Sequence, residues 1–310
     1  MKRRDFFKSA AVVGLASVFK TSALGSVISN KNLAVQSEPD LVAVMGGEPE
    51  VMLVRALKEL GGIGHFVKKG QKVVIKPNIG WDKTPELAAN TNPQLVGALV
   101  KLCKSAGASE VIVFDHTCQD WKKCYTNSGI EKAVLAAGGK IVPANDESYY
   151  REVEFPHGVN MKKNKIHQSL LDCDVWFNVP VLKNHGGAKN SISMKNLMGI
   201  VWDRSFFHSH DLHQCIADAA TFHKPPALNI VDAYRIMKSN GPQGKSLTDV
   251  VLLKSLIVSS DFVAVDTASM KLFSQVQPTD IKDVRYISLA EKLKVGTQNL
   301  EKLNVKRIKL

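Results

Sequence analysis

The chain has 310 residues, 45% of them hydrophobic, which is enough to bury one large α/β core or two smaller lobes. Its formal net charge is +12, yet the lysines and arginines are scattered rather than gathered in a run. That pattern disfavours nucleic acid as a partner and suits a small anionic molecule or an anionic surface. Five cysteines without a CxxC pair leave a zinc ribbon or a ferredoxin-type cluster without support.

MKRRDFFKSAAVVGLASVFKTSALG opens the chain, with Arg3 and Arg4 ahead of Phe6, Phe7 and Lys8 and a modest apolar run from Ala10 to Phe19. RRDFFK matches the pattern of a twin-arginine export signal, and the apolar run is too short to span a membrane stably. Residues 1–30 are expected to form that signal, 31–39 a linker, and 40–310 a single α/β domain. The expected location is periplasmic or otherwise extracytoplasmic. The twin-arginine translocase is the expected partner during export, and no stable membrane span remains after cleavage. Lys2, Arg3, Arg4, Lys8 and Lys20 against Asp5 put +4 of the net charge in this segment.

Further along, LVAVMGG reads as a strand and Glu50–Leu60 as a helix. QKVVIKPN is a buried strand stopped by Pro77, followed by a helix over Pro93–Ser105 and a strand, EVIVFDH. GIEKAVLAAGG is a helix ended by glycines, KIVPA a strand, and Tyr149–Phe155 extended. After the strand DVWFNVP come helices at about Ser191–Met198 and Leu212–Phe222. ALNIVDAY and LKSLIVSS are strands, Asp261 to Phe273 and Ile287–Leu293 helices, and NVKRIKL a last strand. Strands and helices alternate and the strands are continuous apolar runs. The expected fold is α/β, with a mostly parallel or mixed sheet covered by helices on both faces.

In open α/β sheets ligands sit beyond the carboxyl ends of strands. Here those ends carry Lys76-Pro77-Asn78, Asp115-His116, Lys183-Asn184-His185 and Asp232. PVLKNHGGAKNSISMKNLMG, Pro180 to Gly199, adds Lys189, Lys195 and Asn196 with no acidic residue to offset them. Ser191 reads as the N-cap of a helix ended by Gly199, so Lys189 is expected beside free backbone N–H groups that favour an anion. Gly186 and Gly187 would let the backbone approach a ligand. Arg204 is the candidate bidentate clamp on a carboxylate or phosphate. Lys76, Asn78, Lys183, Lys189, Lys195, Asn196 and Arg204 are therefore the expected anion-binding set.

His208, His210 and His213 follow at i, i+2 and i+5, with Asp211 and Gln214 shaped as a capping box. Converging with Asp203, Asp232 or His185, these imidazoles would suit Zn²⁺ or non-haem Fe²⁺; unmetallated, they would serve as acid, base or phosphate donors. His185, His213 and Asp232 are the candidate catalytic groups. Asp261 reads as a helix cap, whereas Asp266, in an apolar helical stretch, needs a buried partner. Gly241–Lys245, GPQGK, is neither a P-loop nor a dinucleotide fingerprint and reads as a turn at a site rim. Cys118 and Cys124 flank a short polar loop and could pair outside the cytoplasm.

KPN at Lys76–Asn78, PVLKNH, MKNLMG, Arg204, His208, LHQCIAD, VDAY, GPQG and SSDFVAVD occur in this order, and the chain thereby resembles the DUF362 family. The resemblance covers about Leu41 to Leu300 and implies one α/β domain with a polar cleft, but no agreed reaction or substrate. Some relatives carry an iron–sulfur module in a cysteine-rich run, which this sequence lacks. The expected function is an exported enzyme acting on a small anionic substrate, by metal-assisted hydrolysis or redox chemistry. The alternative is an exported binding protein for an anionic metabolite.

Overall fold

A computed structural model describes residues 38–310. The expected signal and most of the expected linker lie outside the described residues. The strands are β1 (Leu41–Met45), β2 (Lys72–Pro77), β3 (Glu110–Val113), β4 (Lys140–Ile141), β5 (Tyr150–Glu154) and β6 (Lys163–His167). They continue with β7 (Val175–Val179), β8 (Val181–His185), β9 (Lys189–Ser191), β10 (Leu228–Met237), β11 (Val250–Ser259) and β12 (Val305–Lys309).

Ten of them form one sheet in the order β12-β1-β11-β10-β7-β2-β3-β4, with β8 paired to the far half of β10 and β9 to β8. The run β10-β7-β2-β3-β4 is parallel, whereas β11 is antiparallel to both β1 and β10. The sheet is therefore mixed, and the fold is α/β. β5 and β6 form a separate antiparallel hairpin.

Alternating side chains feed two cores. Val42, Val44, Val73, Ile75 and Val113 face the helices Pro49–Glu59, Pro93–Ser105 and Ile130–Ala136. Leu41, Ala43, Val74, Val231 and Ile257 face Leu212–Ala219, Phe262–Phe273 and Arg285–Lys292. Each fully buried Val, Leu, Ile or Phe in these layers contributes roughly 1.5–3 kcal/mol. Local sequence fixes the helix ends. At Pro93–Ser105 the Asn92 side chain accepts from Gln94 N at 2.9 Å, Pro93 sits where its missing N–H costs nothing, and Gly107 leaves at φ +90°.

The chain leaves β2 toward β3 and β4, while β7 and β10 lie on its other side. Strand order thus reverses between β2 and β7, the place where an α/β sheet opens a crevice at its carboxyl edge. The loops over that edge depart from expectation. Residues 181–191 fold as the hairpin β8–β9, pairing Lys183 with Ser191 and His185 with Lys189. The following helix is only Ser193–Asn196, continued by a 3-10 turn over Leu197–Ile200. A further helix, Trp121–Asn127, was not expected from its sequence.

Candidate functional site: a cation-lined cavity

A cavity of about 430 Å³ opens at this edge, lined among others by Lys76, Asn78, Asp115, Lys183, His185, Lys195, Asn196, Arg204 and His208. Lys76 ends β2 and is fully buried. Its Nζ donates to Asn196 O at 2.6 Å and Asn196 Oδ1 at 2.7 Å and pairs with Asp115 Oδ1 at 2.9 Å. Two hydrogen bonds and one ion pair thus hold the ammonium. Burial pushes its pKa below the usual lysine range, against the pull of Asp115.

Asp115 follows β3, and its second oxygen accepts Ile79 N at 2.6 Å. Gly199 makes room for this pair, since a Cβ there would overlap Asp115 Oδ1 and Lys76 Nζ. Its expected place as a helix terminator is thus corrected: it sits inside the 3-10 turn because the ion pair passes against it.

Behind Lys76 runs a ladder of amides. Asn78 Nδ2 donates to Asn196 Oδ1 at 3.2 Å, Asn196 Nδ2 to Asn178 Oδ1 at 2.8 Å, and Asn178 Nδ2 to Asn229 Oδ1 at 2.8 Å. Asn178, Asn196 and Asn229 are buried, so each bond fixes the next and holds the lysines in place.

The other cations have spare capacity. Lys183, on β8 and buried, donates to Asn78 Oδ1 at 3.1 Å and to the Ala89 carbonyl, neither of them charged. Burial pushes its pKa down to about 7. The half-buried Lys195 ammonium has no hydrogen-bond or ion-pair partner among the described residues. Burial, with Arg204 and Lys76 nearby, brings its pKa down to about 8. Arg204 reaches across the mouth, donating from Nη1 to His116 O and from Nη2 to Thr117 O, both at 2.8 Å. It therefore latches the loop after β3 as well as lining the cavity.

His185 Nδ1 accepts Ala188 N at 3.1 Å, which puts the ring proton on Nε2. Burial first, then Lys195 and Lys183, depresses its pKa to about 3, so it stays neutral. His208 is exposed at the rim, and burial lowers its pKa.

Several expected site residues are elsewhere. Lys189 is exposed outside the cavity lining, at a positive φ of 63° where the hairpin turns into β9. The short helix N-terminus beside it is not open to an anion. Asp266 fills it, accepting Ser193 N at 2.9 Å, Ser193 Oγ at 2.5 Å and Met194 N at 3.2 Å. Ser191 is therefore not the cap.

His210 folds back on its own turn, with Nδ1 2.9 Å from Phe206 O and its ring stacked on Phe206. His213 is buried, accepts Tyr286 N at 3.3 Å and stacks on the Tyr286 ring. His208, His210 and His213 do not converge, and the described residues contain no group of three or more His, Cys, Asp or Glu placed to hold a metal. Asp232 accepts Asn92 N at 2.7 Å and Tyr234 N at 3.0 Å, tying β10 to the start of the helix Pro93–Ser105. Burial lifts its pKa to about 6, but it does not line the cavity. Cys118 and Cys124 are both free, the former exposed at the cavity and the latter buried.

Sequence reasoning set Asp115 at a strand end on the cleft rim without giving it a binding role, took Cys118 only as a disulfide candidate, and did not single out Trp81. Asp115 had a signal. The register that sets Ile75 opposite Val113 brings Asp115 abreast of Pro77, one residue from Lys76.

A family model described as "Domain of unknown function (DUF362)" matches residues 73–271. The chain belongs to the DUF362 family. Lys76, Asp115, Lys183, Lys195, Arg204 and His208 all fall inside the matched segment. The chain is also similar to the thylakoid-associated protein sll1697 of Synechocystis sp., at 26% identity over 220 residues, which is 68% of this chain and 67% of that protein. Among solved structures it is similar to the lactate racemase apoprotein from Thermoanaerobacterium thermosaccharolyticum, at 14% identity and a TM-score of 0.47. That match covers 76% of this chain and only 57% of the racemase chain. No helix among the described residues is long and apolar enough to cross a membrane.

Proposed function

We propose that this DUF362 protein binds a small anion, carboxylate or phosphate in kind, in the cavity at the β2/β7 crevice and acts on it as an enzyme. One observation carries the reading. Lys183, Lys195 and Arg204 surround a cavity whose one carboxylate, Asp115, is already paired with Lys76. Lysines without a counter-charge are costly to crowd, and an anionic ligand relieves that cost. Donors fixed before the ligand arrives can also stabilise charge that develops during reaction. His185 can donate from Nε2, and His208 is the cavity group suited to moving a proton. The reading draws on these cations and not on a metal.

A second reading, a binding protein without turnover, is favoured by the placement of His213 and Asp232. Both were expected to supply acid–base chemistry, and both are taken up in internal bonds. Delivery by the twin-arginine translocase to an extracytoplasmic site belongs to the same proposal, on the strength of RRDFFK. Replacing Arg3 and Arg4 by lysine should then retain the protein in the cytoplasm, and unchanged export would contradict it.

Equilibrium dialysis against phosphate and citrate tests the site itself. Lys183→Ala and Lys195→Ala should each weaken binding roughly tenfold or more, as expected when one charged hydrogen bond of about 1.5–3 kcal/mol is lost. Unchanged affinity in both variants would sink the proposal.

A further inference from the structure

We infer that Lys195 is a nucleophilic amine that condenses with the carbonyl group of a small anionic aldehyde or ketone, such as an oxo acid, held by Lys183 and Arg204. The inference rests on the anion-binding reading and adds to it a carbonyl-bearing substrate class.

The three cavity lysines differ in what their ammonium groups are doing. Lys76 is hydrogen-bonded to Asn196 and ion-paired with Asp115. Lys183 is fully buried and bound to Asn78 and the Ala89 carbonyl. Only a lysine with a free lone pair that can also move to a carbonyl carbon can attack it: Lys76 would first have to break internal bonds, and Lys183 is fully buried and held in place by its two. Lys195 has none to break among the described residues, and it lines the cavity.

The charges around it favour the neutral amine. Lys76, Lys183 and Arg204 face it with positive charge, while Asp115 is offset by its pair with Lys76. His185, on β8, stays neutral. His208, exposed at the rim, Cys118, against Arg204, and His116, whose Nδ1 lies 2.9 Å from Val201 O, complete the titratable groups of the lining. With its pKa at about 8, on the order of one in ten Lys195 amines is neutral at pH 7, against fewer than about one in a thousand for an ordinary lysine.

The step balances without any other reagent. The Lys195 nitrogen pair forms a bond to the carbonyl carbon, and the C=O π pair moves to oxygen. A proton passes from nitrogen to that oxygen through water or His208. The resulting carbinolamine takes a second proton and expels its hydroxyl as water while the nitrogen pair closes the C=N bond. An ammonium and a carbonyl thus give an iminium and one water, with the single positive charge conserved.

The test uses the purified full-length chain with glyoxylate, pyruvate and 2-oxoglutarate, each followed by borohydride reduction and mass analysis of the intact chain and its peptides. At least one of the three should leave one reduced adduct per chain, mapped to Lys195, lost in Lys195→Arg and suppressed by excess citrate. The trapping rate at pH 7 should exceed that of surface lysines on the same chain by about tenfold or more, and should rise through about pH 8 rather than through the ordinary lysine range near 10.5. A thermal melt of Lys195→Arg matching wild type establishes that loss of adduct is not loss of fold.

Adducts spread over surface lysines, an undiminished adduct in Lys195→Arg, or no adduct with any of the three acids would overturn the inference. Calorimetry of the same acids without borohydride separates the two layers. Binding without trapping removes the imine and leaves the anion site, whereas no binding of these acids, phosphate or citrate removes both.

Discussion

Asp218 and Asp249 are buried as deeply as Lys183, but the chain surrounds them differently. Asp218 accepts the backbone N–H groups of Val159, Asn160 and Met161 at 2.9, 2.7 and 2.8 Å and the Gln214 amide at 2.8 Å. Asp249 accepts Lys245 N, Ser246 N, Ser239 Oγ and Asn240 Nδ2, closing the loop that carries GPQGK. Pro242 of that loop reaches the cavity, so the carboxylate shapes the rim without entering it. At the cavity the sign is reversed and so is the saturation, for among the described residues Lys195 has no partner and Lys183 only neutral ones. Burial alone therefore does not mark a site in this fold. Unfilled hydrogen-bonding capacity at the carboxyl edge of the sheet does.

The largest effect should come from breaking the one cavity cation that is fully matched. Asp115→Ala leaves Lys76 buried without its counter-charge and should cost about 3–5 kcal/mol in urea unfolding. Gly199→Ala, which pushes a methyl into the same pair, should cost about 1–3 kcal/mol by the same measurement. Lys195→Ala should do the opposite, changing stability by less than about 0.5 kcal/mol while weakening anion affinity roughly tenfold. If Lys195→Ala destabilises as much as Asp115→Ala, the contrast between matched and unmatched groups collapses.

A smaller, graded effect follows from pH. Lys183 at about 7 and Lys195 at about 8 both titrate below the unfolded lysine value. Anion affinity should be full below about pH 7 and fall as pH rises through about 8, where the cations lose their protons. Ligand-free stability has the other sign. Between about pH 7 and 10.5 the unfolded chain holds more protons, so this contribution is present at high pH and lost as pH falls through the folded values. The smallest effect belongs to His210→Ala, which should leave anion binding unchanged, as read by dialysis.

Much of this contrast was legible in the sequence because strand ends are legible. Lys76, Asn78, Lys183 and Arg204 meet at the cavity as their places on strands and loops implied, and Asn196 and Lys195 join them from the short helix. The errors came where a residue's direction depends on partners far along the chain. Lys189 was assigned to a helix entrance because nothing local announces the β8–β9 hairpin, which puts it in the turn and outside the cavity lining. Asp266 lies 73 residues from the N–H it caps, and His213 an equal distance from Tyr286. No spacing rule reaches that far. Gly199 shows the same limit, since its reason for being glycine is an ion pair built from β2 and the end of β3.

The most direct test of an unmatched cation site is titration calorimetry of pyruvate and citrate near pH 8 in two buffers of different protonation enthalpy. A bound anion should draw protons back onto Lys183 and Lys195. The expected result is one site per chain with net proton uptake, and that uptake should be diminished in Lys195→Ala. Binding with no proton uptake, or uptake unchanged by Lys195→Ala, would contradict the assignment of these lysines as the groups that await the ligand.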